Sequence, residues 1–142
     1  MVYTESPGAS VMKLFLKDQP RIFEVGDISI RDYGKISFEN NEMLTLLTAA
    51  GRECDITAKD WGFYLTPSIN ARLREQGFKV ALVKDPQGKL FINAVEEEKM
   101  ALFEEYLTGG QNGSVICWLD EWSETERINA NQESNDSFKR KM

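Results

Sequence analysis

Short apolar runs alternate with polar turns along most of the chain, and this pattern predicts an antiparallel sheet. The runs at 12–17 and 21–25 contain many β-forming residues. The sequence Asp-Gln-Pro at 18–20 separates them and is typical of a turn. Gly34 is predicted to interrupt the strand that follows. We therefore expect short strands of a meander in this part of the chain.

Two hairpins and a last strand are predicted further along. The first hairpin runs from 43 to 57 around Gly51, which can adopt the positive φ that such turns often need. The second runs from 78 to 95 around the Asp-Pro-Gln-Gly turn at 85–88. Residues 114–119 form another apolar run. These segments predict strands that outnumber the helices.

Two short helices are predicted between and after the hairpins. Thr66 is suited to the N-cap of the first helix, Pro67 to its first turn and Gly77 to the position after its end. The second helix is predicted at 96–107, where three glutamates begin it favourably for the helix dipole. The predicted fold class is α+β, mainly an antiparallel sheet with two short helices packed on it.

The length and composition of the chain predict one domain with polar ends. At 142 residues the chain has the usual size of a single domain. We predict a flexible N-terminus at 1–11, a single α+β domain at 12–122, and a disordered tail at 123–142. The tail is predicted to be disordered because its polar composition cannot offset the entropy lost on ordering.

The charge and the residue usage of the chain disfavour several classes of function. The formal net charge of −6 disfavours binding to nucleic acid or to anionic membrane surfaces. The sequence contains no signal peptide and no apolar run that could span a bilayer, so we expect a cytoplasmic protein. It contains no histidine and two widely separated cysteines, so we expect neither a metal site nor a cofactor.

The segment 60–74 is the strongest candidate for a ligand site. It leads aromatic residues into the predicted helix start, where free backbone amides and hydroxyl groups can hold an anion. Its aromatic faces are suited to stacking on sugars or bases. The competing interpretation is that the aromatic residues are core, the threonine is a helix cap and the arginines are solvated. The candidate ligand-binding residues are Trp61, Tyr64, Thr66, Ser68, Asn70 and Arg74.

Two other groups are interpreted as structural. Cys54 has no neighbouring base and an acidic neighbour, so we predict a buried, unreactive thiol. Cys117 lies within an apolar strand and is predicted to be buried. Asp120 and Glu121 follow that strand and are predicted to be a solvated strand end, because adjacent strand residues point to opposite faces and cannot act as an acid pair.

The segments Asp60–Asn70 and Gly77–Val83 resemble a family of small bacterial proteins of unassigned activity. The resemblance extends from about Met12 to Glu121. Members of that family often accompany genes of surface-glycan biosynthesis. The resemblance therefore implies a role near glycan metabolism, and it implies no catalytic residue.

Three functional hypotheses follow from these observations. The first is a non-catalytic protein that binds a small anionic or sugar ligand, or an accessory protein, in bacterial surface-glycan metabolism. The second is a small metal-independent enzyme acting on a phosphorylated or nucleotide-linked sugar through Asp60, Tyr64, Asn70 and Arg72. The third is a homo-oligomeric protein-interaction module that uses the surface around Trp118 and Trp122. The sequence leaves the ligand, the protein partner and the oligomeric state open.

Overall fold

The computed structural model describes residues 12–122. Within them, eight strands form three antiparallel sheets, with short helices between and after the later strands. This confirms the predicted α+β class with mainly antiparallel pairing. The predictions of a flexible N-terminus at 1–11 and a disordered tail at 123–142 lie outside the described residues.

The first sheet is a long two-stranded hairpin. Strand β1 (Lys13–Val25) pairs with strand β2 (Ile28–Ser37). The pairing shifts between Leu16 and Arg21, so the intervening residues bulge out of the ladder. The turn predicted there is wrong, because the chain continues in the same direction. A bulge tolerates the proline in this segment, which has no N–H to donate to the ladder.

Gly34 lies inside β2, so the strand break predicted there is also wrong. Its φ is +122°. A Cβ atom at this position would lie 2.0 Å from the carbonyl oxygen of Phe15 on the opposite strand. The glycine is therefore explained by the close approach of the two backbones rather than by a turn.

The second sheet has the strand order β3-β4-β5. It consists of β3 (Met43–Leu47), β4 (Glu53–Lys59) and β5 (Gly62–Leu65). The predicted hairpin around Gly51 is confirmed, and the φ of this glycine is +85°. Strand β5 was not predicted, because its aromatic residues were interpreted as the approach to a helix.

The third sheet has the strand order β7-β6-β8. Its strands are β6 (Phe78–Lys84), β7 (Leu90–Glu96) and β8 (Ser114–Trp118). The second predicted hairpin and the predicted last strand are confirmed. Because β6 is central and its side chains alternate between two faces, it contributes to two different packing layers.

The helices are shorter than predicted. Helix α1 (Arg72–Glu75) is a single turn, and Gly77 follows it with a φ of +92°, as predicted. Helix α2 (Met100–Tyr106) follows a 3-10 turn at Glu97–Lys99. Beyond it the chain widens into a π-helical turn at Leu107–Gln111.

Glu96 was predicted to begin the second helix, and this is wrong. It ends β7, is buried, and its carboxylate accepts a hydrogen bond from the Thr48 hydroxyl. This bond ties the third sheet to the turn between β3 and β4. A buried carboxylate needs such a partner, and the side chain of Lys99 adds an ion pair at 3.7 Å.

Two small clusters on opposite faces of β6 form the core. On one face, Phe78 and Val80 pack with Leu73 of α1 and Cys54 of β4. On the other face, the residues packed together belong to β6, β8 and the helical segment after β7, namely Ala81, Val83, Phe103, Leu107, Val115 and Trp118. No helix among residues 12–122 is long and apolar enough to cross a membrane.

Nine hydrophobic residues are buried in the described chain, whereas 21 large hydrophobic residues are exposed. Scattered apolar residues are normal on a protein surface, but contiguous apolar surface is typical of interaction sites. A functional surface is therefore expected where these exposed residues lie next to one another.

Candidate functional site

The predicted ligand segment begins with an exposed aromatic pair. Trp61 lies in the turn between β4 and β5 with 71% of its surface exposed, and Tyr64 lies on β5. Their rings are stacked, with centroids 6.1 Å apart and an interplanar angle of 29°. The interpretation of Trp61 as a core residue is wrong. The pair is an accessible aromatic surface beside the second sheet.

Thr66 is not the cap of a helix. Its hydroxyl forms a hydrogen bond with the Thr57 hydroxyl, and the helix begins six residues later at Arg72. The N-cap position is Ala71, whose side chain cannot cap the helix, and the Oγ of Ser68 accepts a hydrogen bond from the Arg72 amide at 3.0 Å. Since α1 is a single turn, it has no extended N-terminus to hold an anion.

Arg74 is engaged by an acidic partner. Its guanidinium donates to the backbone carbonyl of Asp120 and lies 3.5 Å from the carboxylate of the same residue. Asn70 is exposed in the segment before α1. The structure thus brings Trp61 and Tyr64 together, while it directs Arg74 into a contact with the end of β8.

The burial of Asp120 is the largest departure from the sequence predictions. It was predicted to be solvated, but its side chain is 1% exposed. Its carboxylate accepts a hydrogen bond from the Val80 amide at 3.0 Å, which joins the 3-10 turn at Leu119–Glu121 to β6. Asp120 follows an apolar strand as many surface residues do, so the local sequence gave no signal of its burial.

A polar cavity of about 350 Å³ surrounds this contact. It is lined by Arg74, Lys79, Glu97, Asp120 and Glu121. A hydrogen bond to Glu121 raises the pKa of Lys79, whose ammonium group also lies 4.9 Å from the centre of the Trp118 ring. The basic groups of this cavity are thus paired with carboxylates, and the cavity is explained by structural ion pairs.

Two residues of the enzyme hypothesis contact other parts of the chain. Arg72 forms a salt bridge of 3.1 Å with Asp55, and the backbone amide of Asp60 donates to the Asn40 side chain. Burial raises the pKa of the Cys54 thiol, and Asp55 raises it further. The thiol is therefore protonated at neutral pH, as its interpretation as a structural residue requires. Residues 12–122 contain no group of three or more potential metal ligands.

The β1–β2 hairpin presents an extended apolar surface. Residues directly opposite each other in an antiparallel pair share one face of the sheet. By the observed register, one side of the hairpin, which we call the apolar hairpin face, is almost entirely apolar. Its apolar members are Leu14, Leu16, Phe23, Val25, Ile28, Ile30 and Ile36.

A single ion pair lies among these apolar residues. Arg21 and Asp32 face each other across the strands at 3.2 Å, and the Arg21 guanidinium lies 5.0 Å from the centre of the Phe23 ring. The backbone amide of Gly34 and the guanidinium of Arg21 lower the pKa of Asp32. The carboxylate is therefore ionised at neutral pH, and the apolar hairpin face is charge-balanced.

The apolar hairpin face is open to solvent. It forms a shallow depression of about 450 Å³ in which Leu16, Phe23, Ile30 and Ile36 are all exposed. In the described part of the chain, β1 and β2 pack on each other and make no extensive contact with another strand or helix. Among residues 12–122, the apolar hairpin face is therefore left uncovered.

No protein-family model, curated protein or solved structure matches this chain. The resemblance to a bacterial family therefore stays a prediction, together with its implied link to surface glycans.

Proposed function

We propose that this chain is a non-catalytic protein-interaction module whose partner is a second copy of itself. The observation that carries the proposal is the apolar hairpin face, where five apolar residues lie exposed side by side. Its exposed members are Leu16, Phe23, Val25, Ile30 and Ile36. An isolated two-stranded hairpin is only marginally stable in water, so a hairpin of this length needs a covering surface.

The charge balance of this face supports a second copy as the partner. Arg21 and Asp32 neutralise each other within one chain, so covering the face leaves no uncompensated charge. A closed dimer requires a surface that matches a surface of an identical chain. The homo-oligomeric hypothesis is thus retained, but its surface moves from Trp118 and Trp122 to the hairpin. Trp118 is half-buried against Phe103, with ring centroids 5.9 Å apart.

The small-ligand hypothesis stays a prediction for the surface of Trp61 and Tyr64. Their stacked, exposed rings support it. The pairing of Arg74 with Asp120 weakens it, because that arginine was the expected partner of an anionic ligand.

Hydrogen–deuterium exchange at two concentrations tests the proposed function. We expect hairpin amides within 21–32 to exchange several times more slowly at about 200 µM than at about 1 µM, because association is governed by mass action. Amides of β6 provide the internal control, since this strand is central in its own sheet at every concentration. Equal exchange of the hairpin at both concentrations, with β6 unchanged, would contradict self-association through this face.

A further inference from the structure

The third sheet carries a second open apolar surface. Leu82, Leu90 and Ile92 lie on the same face of β6 and β7, according to the pairing register. The exposed Lys84 lies at the edge of this face, opposite Leu90. At the other end of this face, Phe78 and Val80 are covered by α1 and β4. Leu90 and Ile92 are exposed. We call Leu82, Leu90 and Ile92 the open sheet patch.

The hairpin is held against its own chain at both ends. At its base, the rings of Phe38 and Phe63 lie 5.2 Å apart. At its tip, Gly26 lies beside Gln111, and Asp27 lies beside Gly110. Between these two anchors the apolar hairpin face is exposed. Residues 12–122 therefore present two apolar surfaces, the apolar hairpin face and the open sheet patch, and cover neither.

The size of the hairpin argues against contact between two hairpins alone. A face ten residues long and two strands wide covers roughly 33 Å by 10 Å, or about 330 Å² in projection. A stable interface buries about 800 Å² on each partner. A contact in which each chain contributes both of its open surfaces comes closer to that requirement.

The distribution of charge favours contact between the hairpin of one copy and the body of the other. Residues 12–37 contain five basic and four acidic side chains, a net charge of +1. Residues 38–122 contain eight basic and fourteen acidic side chains, a net charge of −6. Two bodies repel each other, whereas a hairpin and a body attract.

We infer that two copies associate reciprocally, with the apolar hairpin face of each chain seated on the open sheet patch of the other. This inference rests on the proposed function and specifies how its partner is bound. The apolar faces pack as the two layers of a β-sandwich do, and the twofold arrangement forms the same contact twice.

A complementation experiment with two variants tests this arrangement. Phe23→Asp places a charge on the apolar hairpin face, and Ile92→Asp places one on the open sheet patch. We expect each variant alone to have half the native mass by native mass spectrometry. A mixture of the two should form a heterodimer that dissociates at a higher concentration than the native dimer, because it retains one of the two contacts. In that heterodimer the intact hairpin of the Ile92→Asp chain meets the intact patch of the Phe23→Asp chain.

The matched controls carry the same charge on the opposite faces. Ile22→Asp and Phe91→Asp change exposed neighbours of the two test residues, and both variants should keep the native dimer mass. Circular dichroism checks that each variant is folded, and Ile30→Asp replaces Phe23→Asp if that variant loses its sheet signal.

The outcomes separate the arrangement from the proposed function. A dimeric Ile92→Asp variant, or a mixture that stays monomeric, would overturn the reciprocal arrangement while leaving self-association in place. A native full-length chain with the mass of a monomer at high concentration would instead overturn the proposed function itself.

Discussion

Replacing Leu73 with alanine is expected to lower the free energy of unfolding by about 2–5 kcal/mol, the usual cost of a large cavity in a core. Leu73 is 0% exposed and joins α1 to Phe78 and Val80 of the third sheet. Few other hydrophobic residues are buried in the described chain, so the surroundings offer little to fill the cavity. Urea unfolding with a fixed m-value measures this change.

Leu102→Ala is the control for this substitution. Leu102 lies on α2 and is exposed, so its removal should change the free energy of unfolding by no more than about 0.5 kcal/mol. If both variants lost the same stability, the two clusters on β6 would not form the core of the chain.

Replacing Asp120 with alanine is expected to cost about 2–3 kcal/mol, because the substitution leaves the buried amide of Val80 without an acceptor. It also removes the counter-ion of Arg74, whose half-exposed side chain can regain water, so this part of the loss is smaller. Chemical denaturation again provides the measurement.

The neighbouring Glu121→Ala substitution is the matched control. Glu121 is exposed and pairs with Lys79, and a surface pair of this kind contributes about 0–1 kcal/mol. Arg74→Ala should fall between the two, since it leaves the bond from Val80 to Asp120 intact. A loss at Asp120 no larger than that at Glu121 would show that the buried carboxylate does not hold the 3-10 turn at Leu119–Glu121 to β6.

Local chemistry made the sheets and turns predictable. Glycines at positive φ, such as Gly51 and Gly77, mark a hairpin turn and a helix end because other residues rarely adopt these angles. The same reasoning failed at Gly34, where the glycine is required by the backbone of a neighbouring strand. A contact between residues distant in sequence cannot be derived from the residues on either side of the glycine.

The candidate site illustrates the same limit. Thr66 and Pro67 match the start of a helix, but pairing with β4 extends the preceding residues into β5, and the helix forms only at Arg72. Asp120 and Arg74 meet across 46 positions of sequence, so neither partner predicts the other. The pairing register shows which residues of β1 share a face with the apolar residues of β2, and this pairing cannot be derived from either strand alone.

Sedimentation equilibrium of the 142-residue chain tests whether a second copy covers the exposed apolar surfaces. We expect twice the chain mass at about 100 µM and a shift toward the monomer on dilution, because the association is reversible. A single species of monomer mass up to about 200 µM, a concentration at which a dimer with a Kd of about 1 µM would be almost fully formed, would contradict the covering of these surfaces by a second copy.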